Sequence, residues 1–71
     1  MRALRAFCMA VERGSFRLAA EDLYLTASAV SHQIRQLEDT IGSRLFARSA
    51  RNLNVTEAGR AFYDDLRPIL E

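Results

Sequence analysis

The stretch "TASAVSHQIRQLE", Thr26 to Glu38, decides how the chain is read. Val30, Ile34 and Leu37, with Ile41 beyond them, recur at the spacing of one helical face. An α-helix advances by about 100° per residue. With that stripe turned to a core, Ser28, His32, Arg35 and Asp39 face nearly the opposite way, and Ser31 sits on the flank. Solvent faces are usually written with Glu/Lys pairs. This one carries short hydroxyls, an imidazole and a guanidinium, which are hydrogen-bonding groups. Thr26 is placed to cap the start of the helix, and Gly42 to end it.

The pattern extends on both sides. Met1 to Arg13 sets Leu4, Phe7, Cys8 and Val11 at helical spacing, and Gly14 stops that helix. Ser15 caps a second helix, from Phe16 to about Tyr24, which buries Phe16, Ala19, Ala20 and Leu23. The paired alanines let another helix approach closely. "YLT" is then a short break. After Gly42 the period changes: Leu45-Phe46 and Leu53 to Val55 flank a polar centre, Ser49 to Asn52, which predicts a small β-hairpin. Thr56 caps a fourth helix, with Glu57 in its first turn. Ala58, Phe62, Leu66 and Ile69 form a stripe along it, and Pro68 is expected to kink or fray its last turn.

Seventy-one residues allow one small domain, and an apolar share of 49% suits a folded unit rather than a disordered one. No stretch is long enough to span a bilayer, and the start lacks a signal-peptide pattern, so a cytoplasmic protein is expected. The single cysteine, Cys8, lies on an apolar stripe and reads as a small buried hydrophobe. A net charge of +1 does not by itself point to nucleic acid. The distribution says more. All basic residues are Arg, and Arg35, Arg44, Arg48 and Arg51 between Thr26 and Thr56 meet only Glu38 and Asp39. Arginine forks onto phosphates and guanine edges, although a genomic preference for arginine codons explains the bias equally well.

Two short helices joined by a tight break and followed by a hairpin make a mainly α fold, a winged helix-turn-helix. It has a three-helix core, a hairpin wing and a C-terminal helix. Such a unit lays its second helix in the DNA major groove and its wing along the flanking backbone or minor groove. The compact polar half of the 26–41 helix fits that use, because Ser pairs with several bases and Arg35 suits guanine or phosphate. The helix N-terminus adds backbone N–H groups for a phosphate.

The chain resembles the N-terminal DNA-binding domain of LysR-type transcriptional regulators. The residues that carry the resemblance are "GSF" (14–16), "AA" (19–20), Leu23, Thr26, Ala29, Val30, Ser31 and Ile34. Leu37-Glu38, Gly42, "LF" (45–46), Arg48 and "TEAG" (56–59) complete it, so it covers nearly the whole chain. "AVSHQI" followed by "LED" is similar to the branch of glycine-cleavage activators and β-lactamase regulators. The resemblance implies double-stranded DNA as partner, through an interrupted palindrome. It implies a homodimer through the linker helix, or a tetramer in the full-length protein. It divides the chain into a reading domain, 1–55, and the start of a linker helix, 56–71. A large effector-binding domain would lie outside this chain, and with it any small-molecule effector. By the same resemblance, Ser28, Ser31, His32 and Arg35 face DNA, Arg51 lies on the wing near the minor groove, and Arg48 anchors the backbone. Ala58, Phe62, Leu66 and Ile69 make the dimer seam. At the position of Ala27 the family usually has Gln, so alanine removes that contact here, and either affinity is lower or Ser28 does more. Arg17 stands where the family often has Thr, and would reach a phosphate from the start of the second helix.

Blander explanations compete. Ser28 and Ser31 also fit ordinary helix-start chemistry, and the arginines fit solvent exposure or pairs with Glu38 and Asp39. Arg48 also fits bracing of the hairpin. The fourth helix either protrudes to dimerise or folds back on the core; a closed three-helix core favours protrusion. Neither metal nor cofactor is expected, because His32 has no second ligand at suitable spacing. Catalysis by "SHQ" is disfavoured, since adjacent helical residues do not face each other. A winged helix that binds protein would instead expose Leu, Phe or Tyr on the helix face.

Overall fold

The computed structural model describes residues 2–48 and 53–70, apart from the side chains of Arg2, Arg48 and Leu70. The elements run α1 (Arg2–Arg13), α2 (Phe16–Leu23), α3 (Ala27–Ile41), β1 (Phe46–Arg48), β2 (Leu53–Val55) and α4 (Glu57–Leu70). This is the expected helix, helix, helix, hairpin, helix order. The strands pair antiparallel, with Phe46 opposite Val55 and Arg48 opposite Leu53.

Local chemistry starts and stops the helices largely as the sequence predicts. The Ser15 hydroxyl accepts the Leu18 N–H at 3.2 Å, and the Thr26 hydroxyl accepts the Ala29 N–H at 3.1 Å. Such caps each contribute about 1 kcal/mol. Gly14 and Gly42 end α1 and α3 with positive φ, where glycine carries no steric cost. The α2–α3 turn has no glycine. Tyr24 takes the left-handed conformation there, at φ 58° and ψ 41°. Its N–H donates to Glu21 O at 3.3 Å and the Leu25 N–H to Ala20 O at 2.9 Å, which closes the end of α2.

The core gathers Ala6, Phe7 and Ala10 of α1, Ala19 and Ala20 of α2, and Val30 and Ile34 of α3. The alanines let α1, α2 and α3 pack against one another at close range. Phe7 is fully buried, which alone stabilises by about 1.5–3 kcal/mol. Its ring meets Phe46 of β1 at 5.6 Å, Phe62 of α4 at 5.3 Å and Tyr63 of α4 at 6.4 Å between centroids. One α1 side chain thereby ties the wing base and the fourth helix to the three-helix core. Cys8 is buried, as expected. Burial, with the Glu12 charge adding to it, pushes its thiol pKa up, away from the reactive thiolate.

Two expectations need correction. Ile41 does not belong to the core stripe: it is 41% exposed, because α3 outruns the core it packs on. Pro68 lies inside α4, which continues to Leu70. The fourth helix does not simply protrude. Gly59, Tyr63 and Leu66 are buried within the chain, and Phe62 packs partly against Phe7. A glycine at 59 is required here, since a Cβ would run into the Leu45 carbonyl and Val55 Cγ1.

Candidate nucleic-acid interface

The site is built on α3. Val30 and Ile34 are fully buried and fix the roll of the helix about its axis. That roll turns Ser28, His32 and Arg35 outward: all three are exposed, and Ala27 beside them is exposed too. Ser31 is half-buried on the flank. The predicted edge is therefore brought together along one side of one helix. Asp39 continues it toward the C-terminal end and is also exposed.

Thr26 orients the first turn, leaving this edge beginning at a helix N-terminus capped by a hydroxyl. Among the described residues, neither Glu38 nor Asp39 forms an ion pair with Arg35. Arg17 lies on α2, where its guanidinium pairs with Glu21 at 3.0 Å. Both side chains are largely exposed, so the pair contributes little stability and is readily exchanged for another anion. Arg48 lies in β1 with its side chain outside the described residues, and Arg51 lies outside them altogether.

Beyond Arg35, an open groove runs to the turn after α3. It is lined by Arg35, Glu38, Asp39, Gly42, Ser43 and Arg44. The turn thus brings Arg44 to the same surface as Arg35, which the spacing alone does not reveal. Glu38 behaves differently from its neighbours. Its carboxylate turns inward and accepts the N–H groups of Leu45 at 2.8 Å and Phe46 at 3.2 Å. The sequence gives no sign of this beyond the Leu37-Glu38 and Leu45-Phe46 pairs of the family pattern. Among the described residues, no group of three His, Cys, Asp or Glu side chains could hold a metal ion. No helix of the described residues is long and apolar enough to cross a membrane.

A three-helix core followed by an antiparallel hairpin and a fourth helix defines a winged helix-turn-helix domain. A family model described as "Bacterial regulatory helix-turn-helix protein, lysR family" matches residues 1–60. The chain belongs to the LysR family.

Its relatives include the glycine cleavage system transcriptional activator of Escherichia coli (strain K12). The two are 46% identical over 69 residues, covering 97% of this chain and 23% of that protein. The HTH-type transcriptional activator AmpR of Rhodobacter capsulatus is 44% identical over 71 residues, covering 100% of this chain and 23% of that one. Among solved structures, a BenM_DBD/benA site 1 DNA complex matches with a TM-score of 0.92 and 36% identity, over 97% of this chain and 78% of that one. Full-length CbnR complexed with its target DNA matches with a TM-score of 0.91 and 36% identity, over 97% of this chain and 24% of that one. The chain spans 23% of the length of the first of these curated relatives.

Proposed function

We propose that this chain binds double-stranded DNA sequence-specifically, as the DNA-binding domain of a bacterial LysR-type transcriptional regulator. The observation that carries the proposal is the exposed Ser28, His32 and Arg35 edge on a helix whose opposite side buries Val30 and Ile34 completely. α3 (Ala27–Ile41), with its cap Thr26, enters the major groove, and residues 45–55 form the wing at the flanking backbone or minor groove. Arg35 forks onto a guanine or a phosphate, and Ser28, Ser31 and His32 supply short-range contacts. Arg48 and Arg51 serve the backbone and minor groove beside the wing, Arg17 a phosphate near α2, and Ala27 close approach without a side-chain contact. Arg44 adds a second cation at the rim of the Arg35 groove.

Residues 1–55 act as the reading domain and 56–71 as the start of the linker helix of a homodimer. The exposed face of α4 beside Phe62 carries Ala58, Ala61 and Ile69, and Ile69 is 75% exposed. That face is the dimer seam; Leu66 supports it from the core side. Two copies then meet an interrupted palindrome. Effector binding belongs to the rest of a longer, cytoplasmic, non-enzymatic regulator.

Selection of bound sequences from a random DNA pool tests the proposal. Wild type should enrich a palindrome with an interrupted centre. Arg35→Ala should lose on the order of 1–3 kcal/mol of discrimination at one position of each half-site. In a gel-shift titration across salt, Arg51→Ala should lower the salt slope by about one unit. A pool that emerges unenriched would refute sequence-specific binding.

A further inference from the structure

Among the described residues, Glu38 is the one buried charged side chain, at 9% exposure. A buried carboxylate is costly unless its charge is met by donors. Here one carboxylate oxygen, Oε2, accepts both the Leu45 and the Phe46 N–H, at 2.8 and 3.2 Å. Charge-assisted bonds of this kind are stronger than neutral ones. The backbone carbonyl of the same residue accepts the N–H groups of Gly42 at 2.8 Å and Ser43 at 3.3 Å. Glu38 therefore holds four N–H groups, which span the whole turn from the reading helix to the wing.

The opposite side of the turn is held by the start of α4. The Thr56 hydroxyl donates to the Arg44 carbonyl at 2.6 Å and accepts the Gly59 N–H at 2.9 Å. The Thr56 N–H donates to the Leu45 carbonyl at 3.0 Å. Leu45 and Phe46 thus give their N–H groups to Glu38 of α3, and Arg44 and Leu45 their carbonyls to Thr56, the cap of α4. Glu38 sits on the reading helix itself, one turn beyond Arg35. Any shift of the wing base at Leu45 and Phe46 relative to α3 must break the Glu38 bonds.

We propose that Glu38 is a positioning residue for DNA recognition, fixing the wing at one place relative to the reading edge. The inference rests on the DNA-binding proposal above. Sequence preference read by α3 would survive without Glu38. The preference at the flanks, where the wing lies, would not.

The test is selection from a random DNA pool with wild type, Glu38→Gln and Glu38→Asp. The Gln variant removes the charge, and the Asp variant keeps it but withdraws the oxygens by about one C–C bond. Circular dichroism identifies which variants are folded, and either one suffices. The expected result is an unchanged inner half-site with flanking discrimination reduced roughly tenfold. Arg35→Ala should give the converse profile. The proposal is overturned if the folded Glu38 variants keep their flanking preference, or lose inner and flanking preference in proportion. It is equally overturned if both variants are unfolded, since Glu38 is then a folding residue only. If wild type itself enriches nothing, the DNA-binding proposal fails, a result distinct from all of these.

Discussion

Tyr63 of α4 donates its phenolic hydroxyl to Glu12 of α1 at 2.9 Å, a bond that joins residues far apart in the chain. It lies at the edge of the Phe7 ring cluster, with the Arg60 guanidinium 5.7 Å from the Tyr63 ring centroid. The direction of the fourth helix is thereby fixed by the first. Tyr63→Phe keeps the ring and removes the bond, and should lower unfolding free energy by about 1 kcal/mol in urea titration.

The same tyrosine makes a pH prediction. Burial foremost, then the bond to Glu12 and its charge, raise the Tyr63 pKa above its ordinary 10.0, while burial and Glu12 raise Cys8 above 9.0. In the unfolded chain both groups titrate at their ordinary values, so below those values neither makes stability depend on pH. As pH rises past about 9 and then 10, the unfolded state loses protons that the folded state keeps. Stability should fall across that alkaline range in thermal melts. Tyr63→Phe should flatten its upper part; an identical alkaline fall in the variant would assign the effect elsewhere.

Gly59 meets the wing base so closely that no side chain fits. The atoms in the way are backbone, the Leu45 carbonyl, and a half-buried Val55 methyl, which cannot swing aside cheaply. Gly59→Ala should destabilise by about 1–3 kcal/mol despite the better helix propensity of alanine. A lower urea midpoint at unchanged slope is the expected signature.

Tyr24 stands in the left-handed region with its side chain 95% exposed. Its ring gains almost nothing from packing that would offset the backbone cost of about 1–2 kcal/mol. Tyr24→Asn should therefore raise stability, by about 0.5–1 kcal/mol, because Asn tolerates this conformation. For a domain of this size that corresponds to a few degrees in Tm. A lower Tm would mean that the tyrosine ring has a packing role after all.

The dimer seam is best tested away from the core. Phe62→Arg would strike the Phe7 cluster as well, so loss of assembly in that variant would be ambiguous. Ala58→Arg and Ile69→Glu alter only exposed positions. Light scattering should give half the wild-type mass for both, with unchanged circular dichroism. Persistence of the wild-type mass in both would remove this face of α4 from the interface.

Much of the fold was legible because local chemistry and the buried stripes agree. Ser15, Thr26 and Gly42 act where their side chains or lack of one predicted, and the burial of Val30 and Ile34 sets the roll of α3. The exposed edge of Ser28, His32 and Arg35 follows from that roll. What was hidden depends on partners distant in sequence. Periodicity marks Leu66 as apolar but does not say which surface covers it. Ile41 keeps the period after the core has ended. Glu38 reads as a surface acid, because hydropathy does not register N–H groups seven and eight residues further on. Tyr24 carries no turn signal at all, and its conformation is imposed by the closing hydrogen bonds of α2.

The burial of Gly59, Tyr63 and Leu66 by the chain's own core has a consequence for assembly. A helix that had to order itself on meeting its mate would lose about 1–2 kcal/mol per residue in backbone entropy at that moment. Here the helix is already anchored before a second copy arrives. Association becomes the docking of two preformed surfaces, and its strength can be tuned at exposed positions without remaking the domain beneath them.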